Sequence, residues 1–252
     1  MKIAMLGLGK MGGNMSARLI RNGISVVGYD NHPETVKKLE ASENLIPSSS
    51  VEDAISKLEG QKIVWMMLPA GDITKKQIAD LIPLLSEGDI IIDGGNSNFK
   101  QIVKMGRMLE EYNICFMDCG TSGGVWGLDN GYCLMVGASH EVAKAVEPAL
   151  RALAPTPQKG WLHVGPVGSG HFTKMIHNGI EYGMMESVAE GLELLKGREE
   201  FAIDVAKVTE LWRHGSVVRS WLLDLTAEAL QSDQNLEEIA PFVADSGEGR
   251  WT

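Results

Sequence analysis

Short, almost uninterrupted apolar segments alternate along the chain with longer stretches in which apolar residues recur every three or four positions. The apolar runs are KIAMLGL, SVVGYD, KIVWMML, DIIIDGG and ICFMDCG; between them NMSARLIRNG, PETVKKLEAS, VEDAISKLEG, ITKKQIADLIPLL and FKQIVKMGRMLEEY have helical spacing. Strands covered on both faces read as continuous apolar runs, whereas helices packed on a sheet keep one apolar stripe. The rhythm therefore predicts βαβ units and an α/β fold, a Rossmann-like, doubly wound parallel sheet. YCLMVGA and EVAKAVEPALRAL add a strand and a helix, and the segment around Lys159 to Val164 adds a short strand. After the Gly-rich PVGSG at 166–170 helical spacing persists with no convincing strand, which divides the chain into 1–165 and an all-α domain, 166–252.

One stretch of the helical part carries unusual chemistry. HFTKMIHNGIEYG places Lys174, His177, Asn178 and Glu181 at offsets of 0, 3, 4 and 7, which is a single face of an α-helix. A polar stripe is usually a solvated face. Phe172, Met175, Ile176, Ile180, Met184 and Met185 suggest instead a helix buried around much of its circumference, where unpaired polar groups need a partner such as a ligand. TELWRHGSVVRSWLLDLTAEAL has too many large apolar residues for a solvated helix, so a partner subunit or further residues are expected to cover it. The loop-like ending SGEGRWT carries the same expectation of an unfinished helical part.

Composition narrows the class. With 252 residues and 44% hydrophobic content the chain can build one large or two moderate cores. A net charge of −10 without a basic cluster disfavours nucleic acid and anionic membrane as partners. Cys115, Cys119 and Cys133 are odd in number and lack metal-ligand spacing, so neither a disulfide framework nor a metal site is indicated. Gly and Lys10 interrupt the opening segment too early for a signal peptide, which with the cysteines fits a cytoplasmic protein.

Gly7, Gly9 and Gly12, in the loop Gly7, Leu8, Gly9, Lys10, Met11, Gly12, form G-x-G-x-x-G between the first strand and the first helix. That placement is the dinucleotide fingerprint: a tight turn, close approach of backbone to a pyrophosphate, and close packing of helix on strand. Asp30 ends the second strand 23 residues after Gly7, where a carboxylate accepts from the ribose hydroxyls and repels a 2′-phosphate. Neither Asn31 nor His32 offers the permanent charge of an Arg, so NAD is favoured over NADP; the alternative is a turn Asp. Asn96 after IIIDGG, and Ser122, Gly123 and Gly124 in CGTSGGVWG, follow predicted strands, where open α/β sheets bind ligands. Either stretch could equally be only a Gly-rich turn.

Together MLGLGKMGGNM, IIDGGNS, TSGG, HFTKMIHNGIEYG and GEGRWT resemble, in order and over nearly the whole chain, the 6-phosphogluconate dehydrogenases, a branch of the β-hydroxyacid dehydrogenase family. The resemblance implies NAD-dependent oxidative decarboxylation of a small phosphorylated sugar acid, 6-phosphogluconate, to ribulose 5-phosphate and CO2. It implies Lys174 as the base at the C3 hydroxyl and Glu181 as the acid that protonates the enediol. His177 and Asn178 resemble substrate hydroxyl contacts, Asn96 a residue touching substrate and nicotinamide, and Ser122, Gly123 and Gly124 the cradle of the substrate carboxylate. Tyr182, Arg250 and Thr252 match phosphate-holding positions, and Met67, Leu68, Pro69 and Ala70 match the loop beneath the cofactor. The family's acidic pair after SGG is here Val125 and Trp126, and its NADP-selecting Arg is Asn31, which point to an NAD-using branch. The family continues past GEGRWT with helices that carry another phosphate-binding Arg, and a homodimer or higher homo-oligomer is expected.

Two other readings remain open. A 3-hydroxyisobutyrate-type dehydrogenase shares the glycine loop, the SGG turn and the lysine, but needs neither His177 nor Glu181 as a second acid. A non-catalytic NAD(H)-binding module would have no reason to keep both Lys174 and Glu181.

Overall fold

The computed structural model describes residues 1–234, 236–240, 242 and 247–251. The chain divides into two compact units, Met1–Lys174 and Met175–Thr252. The first turns of the long helix that begins after residue 165 thus pack with the sheet.

The first unit is built on eight strands: β1 Lys2–Leu6, β2 Ser25–Tyr29, β3 Ile46–Pro47, β4 Ile63–Met66, β5 Ile90–Asp93, β6 Cys115–Ser122, β7 Cys133–Gly137 and β8 Trp161–Gly165. They form one sheet in the order β3-β2-β1-β4-β5-β6-β7-β8. Between them run α1 Lys10–Arg21, α2 Pro33–Glu43, α3 Val51–Ser56, α4 Asp72–Leu81, α5 Phe99–Glu110, α6 Gly127–Asn130 and α7 His140–Leu153, and α8 Ser169–Lys196 follows β8. Alternate residues of the central strands feed two cores. Ile3, Met5, Val26 and Ile92 pack with Met15, Leu19 and Val146 from α1 and α7. Ala4, Leu6, Val27 and Ile91 pack with Ile55, Ile78 and Ile102 from α3, α4 and α5. The doubly wound sheet expected from the apolar runs is therefore present, with helices on both faces.

Two features differ from that expectation. The two-residue β3 is too short to leave an apolar run. Strand β7 runs antiparallel to β6, with Asp118 opposite Gly137 and Ser122 opposite Cys133. A parallel crossover needs about a dozen residues or more, and the connection through 123–132 turns straight back instead.

The second unit holds the rest of α8 together with α9 Val205–Trp212 and α10 Trp221–Ser232. The apolar stretch beginning at Thr209 is thus not one helix: Gly215, at φ 78°, interrupts it, and the Ser220 hydroxyl caps α10 by accepting from the Leu223 N–H. Arg213 ties α9 and α10 together, donating to Asp224 at 2.8 Å and to Glu210 at 2.9 Å. Val188, Leu192, Leu222, Leu225 and Leu230 line an apolar groove of about 590 Å³ in this unit. No helix among the described residues is long and apolar enough to cross a membrane.

Candidate functional site

The strand order reverses between β1 and β4, so the crevice lies beyond their carboxyl ends, where Gly7 and Met67 follow. Gly7 adopts φ 89°, and a Cβ there would come within 2.5 Å of the Met67 carbonyl oxygen. At Gly12 a Cβ would overlap the Gly7 carbonyl oxygen, while at Gly9 it would meet nothing within 4 Å. Two of the three glycines are thus required by packing, and the third leaves open space at the helix N-terminus. Gly9 caps α1 without a side-chain hydrogen bond, which leaves the first N–H groups of α1 available to an anion. These residues fit a dinucleotide pyrophosphate.

Asp30 is held toward that loop. Its Oδ2 accepts from the Leu8 N–H at 2.7 Å and its Oδ1 from the His32 N–H at 2.8 Å. Each carboxylate oxygen keeps acceptor capacity for a ribose hydroxyl. Asn31 is exposed and accepts from the Tyr29 hydroxyl at 3.1 Å, and neither it nor His32 carries the permanent charge of an Arg. Met67 extends β4 by donating to the Leu6 carbonyl at 2.8 Å, and the Pro69 carbonyl accepts from Thr74 at 2.9 Å, which fixes the Met67, Leu68, Pro69, Ala70 loop at both ends.

Ser122 closes β6, and Gly123 and Gly124 turn the chain with φ values of 130° and 53°. Asn14 of α1 donates to the Val125 carbonyl at 3.3 Å, tying this turn to the glycine-loop helix. Val125 and Trp126 are exposed. Lys174 is 8% exposed and seated by glycines: a Cβ on Gly120 would lie 2.5 Å from the Lys174 Cβ, and one on Gly170 would lie 2.5 Å from the Met135 carbonyl oxygen. Only glycine at these positions lets α8 come this close to the strands.

In the second unit Asn178 is 1% exposed and donates to the Glu248 carbonyl at 2.9 Å. His177 Nδ1 lies 3.6 Å from Glu181 Oε2 and 3.3 Å from Asn178 Oδ1. The Tyr182 ring covers Gly249, where a Cβ would come within 3.3 Å of it. Arg250 is exposed and its N–H donates to the Gly247 carbonyl at 3.3 Å. The second unit thus brings Asn178 and Tyr182 onto the 247–251 segment that bears Arg250. Thr252 falls outside the described residues.

The expectation of a helix buried around its circumference is corrected. Phe172, Ile176, Ile180, Met184 and Met185 are exposed, whereas Lys174 and Asn178 of the polar stripe are buried. Periodicity reports which residues share a face and not which face is covered. A further group leaves no motif in the sequence: Asp93, Asp118 and His171 are buried in the first unit. A carboxylate inside a run as apolar as DIIIDGG or ICFMDCG was the available signal, because a buried charge requires a partner.

This sheet, with its glycine loop, anchored carboxylate and buried lysine, defines an NAD(P)-binding oxidoreductase. Residues 2–165 match the NAD binding domain of 6-phosphogluconate dehydrogenase, and residues 170–252 match the 6-phosphogluconate dehydrogenase C-terminal domain. The chain belongs to the 6-phosphogluconate dehydrogenase family. It is 44% identical to the Bacillus subtilis protein YqeC, whose own name carries the 6-phosphogluconate dehydrogenase assignment only provisionally, over all of this chain and 83% of that one. It is 39% identical, with the same coverage, to the NAD(+)-dependent, decarboxylating 6-phosphogluconate dehydrogenase of Haloferax volcanii. The Plasmodium falciparum 6-phosphogluconate dehydrogenase, solved apo, with NADP+ and with 6-phosphogluconate, superposes at a TM-score of 0.87 with 26% identity, over 100% of this chain and 56% of that one.

Proposed function

We propose that the protein oxidises and decarboxylates 6-phosphogluconate with NAD, yielding ribulose 5-phosphate and CO2. The observation that carries this reading is the burial of two members of the polar stripe: Lys174 and Asn178 are withdrawn from solvent while apolar neighbours on α8 such as Ile176 and Ile180 are exposed. A fold gains nothing from burying an ammonium group in this way unless the group meets a ligand or a fixed partner.

NAD held by the glycine loop and Asp30 would supply the hydride acceptor for oxidation at C3. Lys174 takes the C3 hydroxyl proton. The β-keto acid that results from the oxidation then loses CO2, and Glu181, seven residues further along the same helix, protonates the enediol carbon. Ser122, Gly123 and Gly124 hold the carboxylate, His177, Asn178 and Asn96 contact the hydroxyls, and Tyr182, Arg250 and Thr252 hold the phosphate. Gly7, Leu8, Gly9, Lys10, Met11 and Gly12 receive the pyrophosphate, and Asp30 selects NAD by repelling a 2′-phosphate. A second copy of the chain covers the exposed apolar residues of α8, giving a homodimer or higher homo-oligomer.

The deciding measurement follows NADH and CO2 together from 6-phosphogluconate. Stoichiometric release of both supports the reading. NADH without CO2, or turnover of 3-hydroxyisobutyrate with none of 6-phosphogluconate, overturns it.

A further inference from the structure

Three ionisable side chains of the first unit have no part in the scheme above: Asp93, Asp118 and His171 are 1%, 0% and 2% exposed. Each carboxylate is committed to a different piece of the site. Asp93, at the end of β5, accepts from the Gly95 N–H at 2.9 Å and from the Ser97 hydroxyl at 2.7 Å, so its two bonds bracket Asn96. Asp118, in β6, accepts from the Gly168 N–H at 2.6 Å and from the His171 N–H at 2.7 Å, and so grips the start of α8 one turn before Lys174. His171 joins the two: its backbone N–H meets Asp118, and its imidazole Nε2 lies 3.6 Å from Asp93 Oδ2. Neither ring nitrogen has a hydrogen-bond partner among the described residues, so the ring contributes through charge rather than through a neutral hydrogen bond.

We propose that His171 is a positioning residue for the dehydrogenase reaction, the pivot through which Asp93 and Asp118 couple the Asn96 loop to the turn of α8 that bears Lys174. The role rests on the preceding reading, in which Asn96 and Lys174 meet the substrate. His171 touches neither substrate nor cofactor; it sets the distance between two groups that do.

The electrostatics agree with the geometry. Burial acts to lower the His171 pKa, but Asp93 and Asp118 more than offset it, and the imidazole is raised above its ordinary 6.5. Burial acts to raise Asp93, but His171, Ser97 and Gly95 more than offset it and the net shift is downward. Asp118 moves the other way, raised by burial against His171 and two backbone N–H donors. The charged groups around the ring are thus Asp93 from β5, Asp118 from β6 and, one turn along its own helix, Lys174. Because the folded imidazole keeps its proton above 6.5, the clamp is complete below that pH and loosens as pH rises through the folded value.

The test compares the unmodified protein with His171→Gln and His171→Asn. The pivot predicts NAD affinity close to that of the parent, and kcat for 6-phosphogluconate lowered by about 10²-fold, the order expected when a reacting group is misplaced by an ångström. It also predicts an alkaline limb in the parent's pH profile of kcat that both variants lose. Equal losses in NAD affinity and kcat would mean a merely structural side chain, and parental kcat in both variants would overturn the proposal. The imidazole resonances of the unmodified protein provide a readout independent of substrate and of how the variants fold. An imidazolium at neutral pH that is lost in Asp93→Asn supports the pivot, and a neutral ring at neutral pH removes it. Absence of turnover by the unmodified protein would sink the decarboxylase reading instead, leaving the ring titration to judge the pivot.

Discussion

The two units handle apolar surface in opposite ways. In the sheet unit Ile3, Met5, Ile90, Ile91 and Ile92 are fully buried and shared between two cores, one on each face. In the helical unit Leu223, Ala227 and Leu230 are buried, while Ile180, Leu194, Leu211 and Phe201 are each more than half exposed. A strand in a doubly wound sheet is covered by its own crossovers, whereas a long helix can bury both sides only against elements that lie on both sides. The sheet unit is therefore a closed design whose chemistry sits in gaps left by glycine. The helical unit buries Asn178 and Thr209 beside Leu223, Ala227 and Leu230 and leaves many of its large apolar side chains exposed.

The largest effect that would break this contrast is at the buried lysine. Lys174→Met replaces an ammonium by an apolar chain of similar length in a site already 8% exposed, so the fold and NAD binding should survive. Turnover should fall by at least the 10²–10⁴-fold typical of a positioned base, measured as NADH formation. Glu181→Gln should slow the late proton transfer by a comparable factor without changing NAD affinity, and near-parental turnover in either variant removes that residue from the mechanism.

Next in size is the glycine loop, where two neighbouring positions should separate packing from binding. Gly12→Ala forces a Cβ into the Gly7 carbonyl oxygen, and overpacking of this kind costs about 1–3 kcal/mol or more. Gly9→Ala meets nothing within 4 Å, so it should leave the thermal midpoint near that of the parent while blocking close approach of the pyrophosphate. Calorimetry and NAD titration on the pair give the answer; equal behaviour of the two variants would refute the division of roles.

How far the sequence discloses all this depends on the kind of information each feature leaves in residue order. Strands β1, β2, β4, β5 and β6 are legible because burial on both faces demands continuous apolar runs, and the glycine loop is legible because its spacing is itself the geometry. The direction of β7 leaves no such trace; it follows from a connection too short to cross over. The covered side of α8 is equally silent, since Ile176 and Ile180 would show the same periodicity facing inward or outward. Asp93 and Asp118 are visible as charges in apolar runs, but their joint partner, His171, becomes evident only when β5, β6 and the start of α8 are brought together.

A smaller effect tests the cofactor assignment. Asp30 accepts two backbone N–H groups and has no Arg beside it on the turn, so a 2′-phosphate would face an uncompensated carboxylate. Asp30→Asn combined with Asn31→Arg should move preference toward NADP, because a new charge-assisted bond to the phosphate is worth about 1.5–3 kcal/mol, or roughly ten- to a hundredfold in relative kcat/KM. A parent already faster with NADP would overturn the role given to Asp30.

The smallest effect on the subunit itself should come from Ile180→Ser. Ile180 is 61% exposed, so in an isolated chain its truncation removes little buried surface and should shift stability by no more than about 0.5 kcal/mol. The consequence differs if a second copy covers this face. Burial of an isoleucine across an interface is worth roughly 1.5–3 kcal/mol, and in a symmetric dimer the same residue is lost from both partners, so association should weaken by two to four decades. Sedimentation equilibrium of the parent and variant distinguishes the cases. An oligomeric parent and a variant that dissociates at the same concentration would show that the exposed apolar side of α8 is an interface between copies. A monomeric parent, with a thermal midpoint independent of concentration and unchanged by Ile180→Ser, would show that the helical unit tolerates its apolar surface alone.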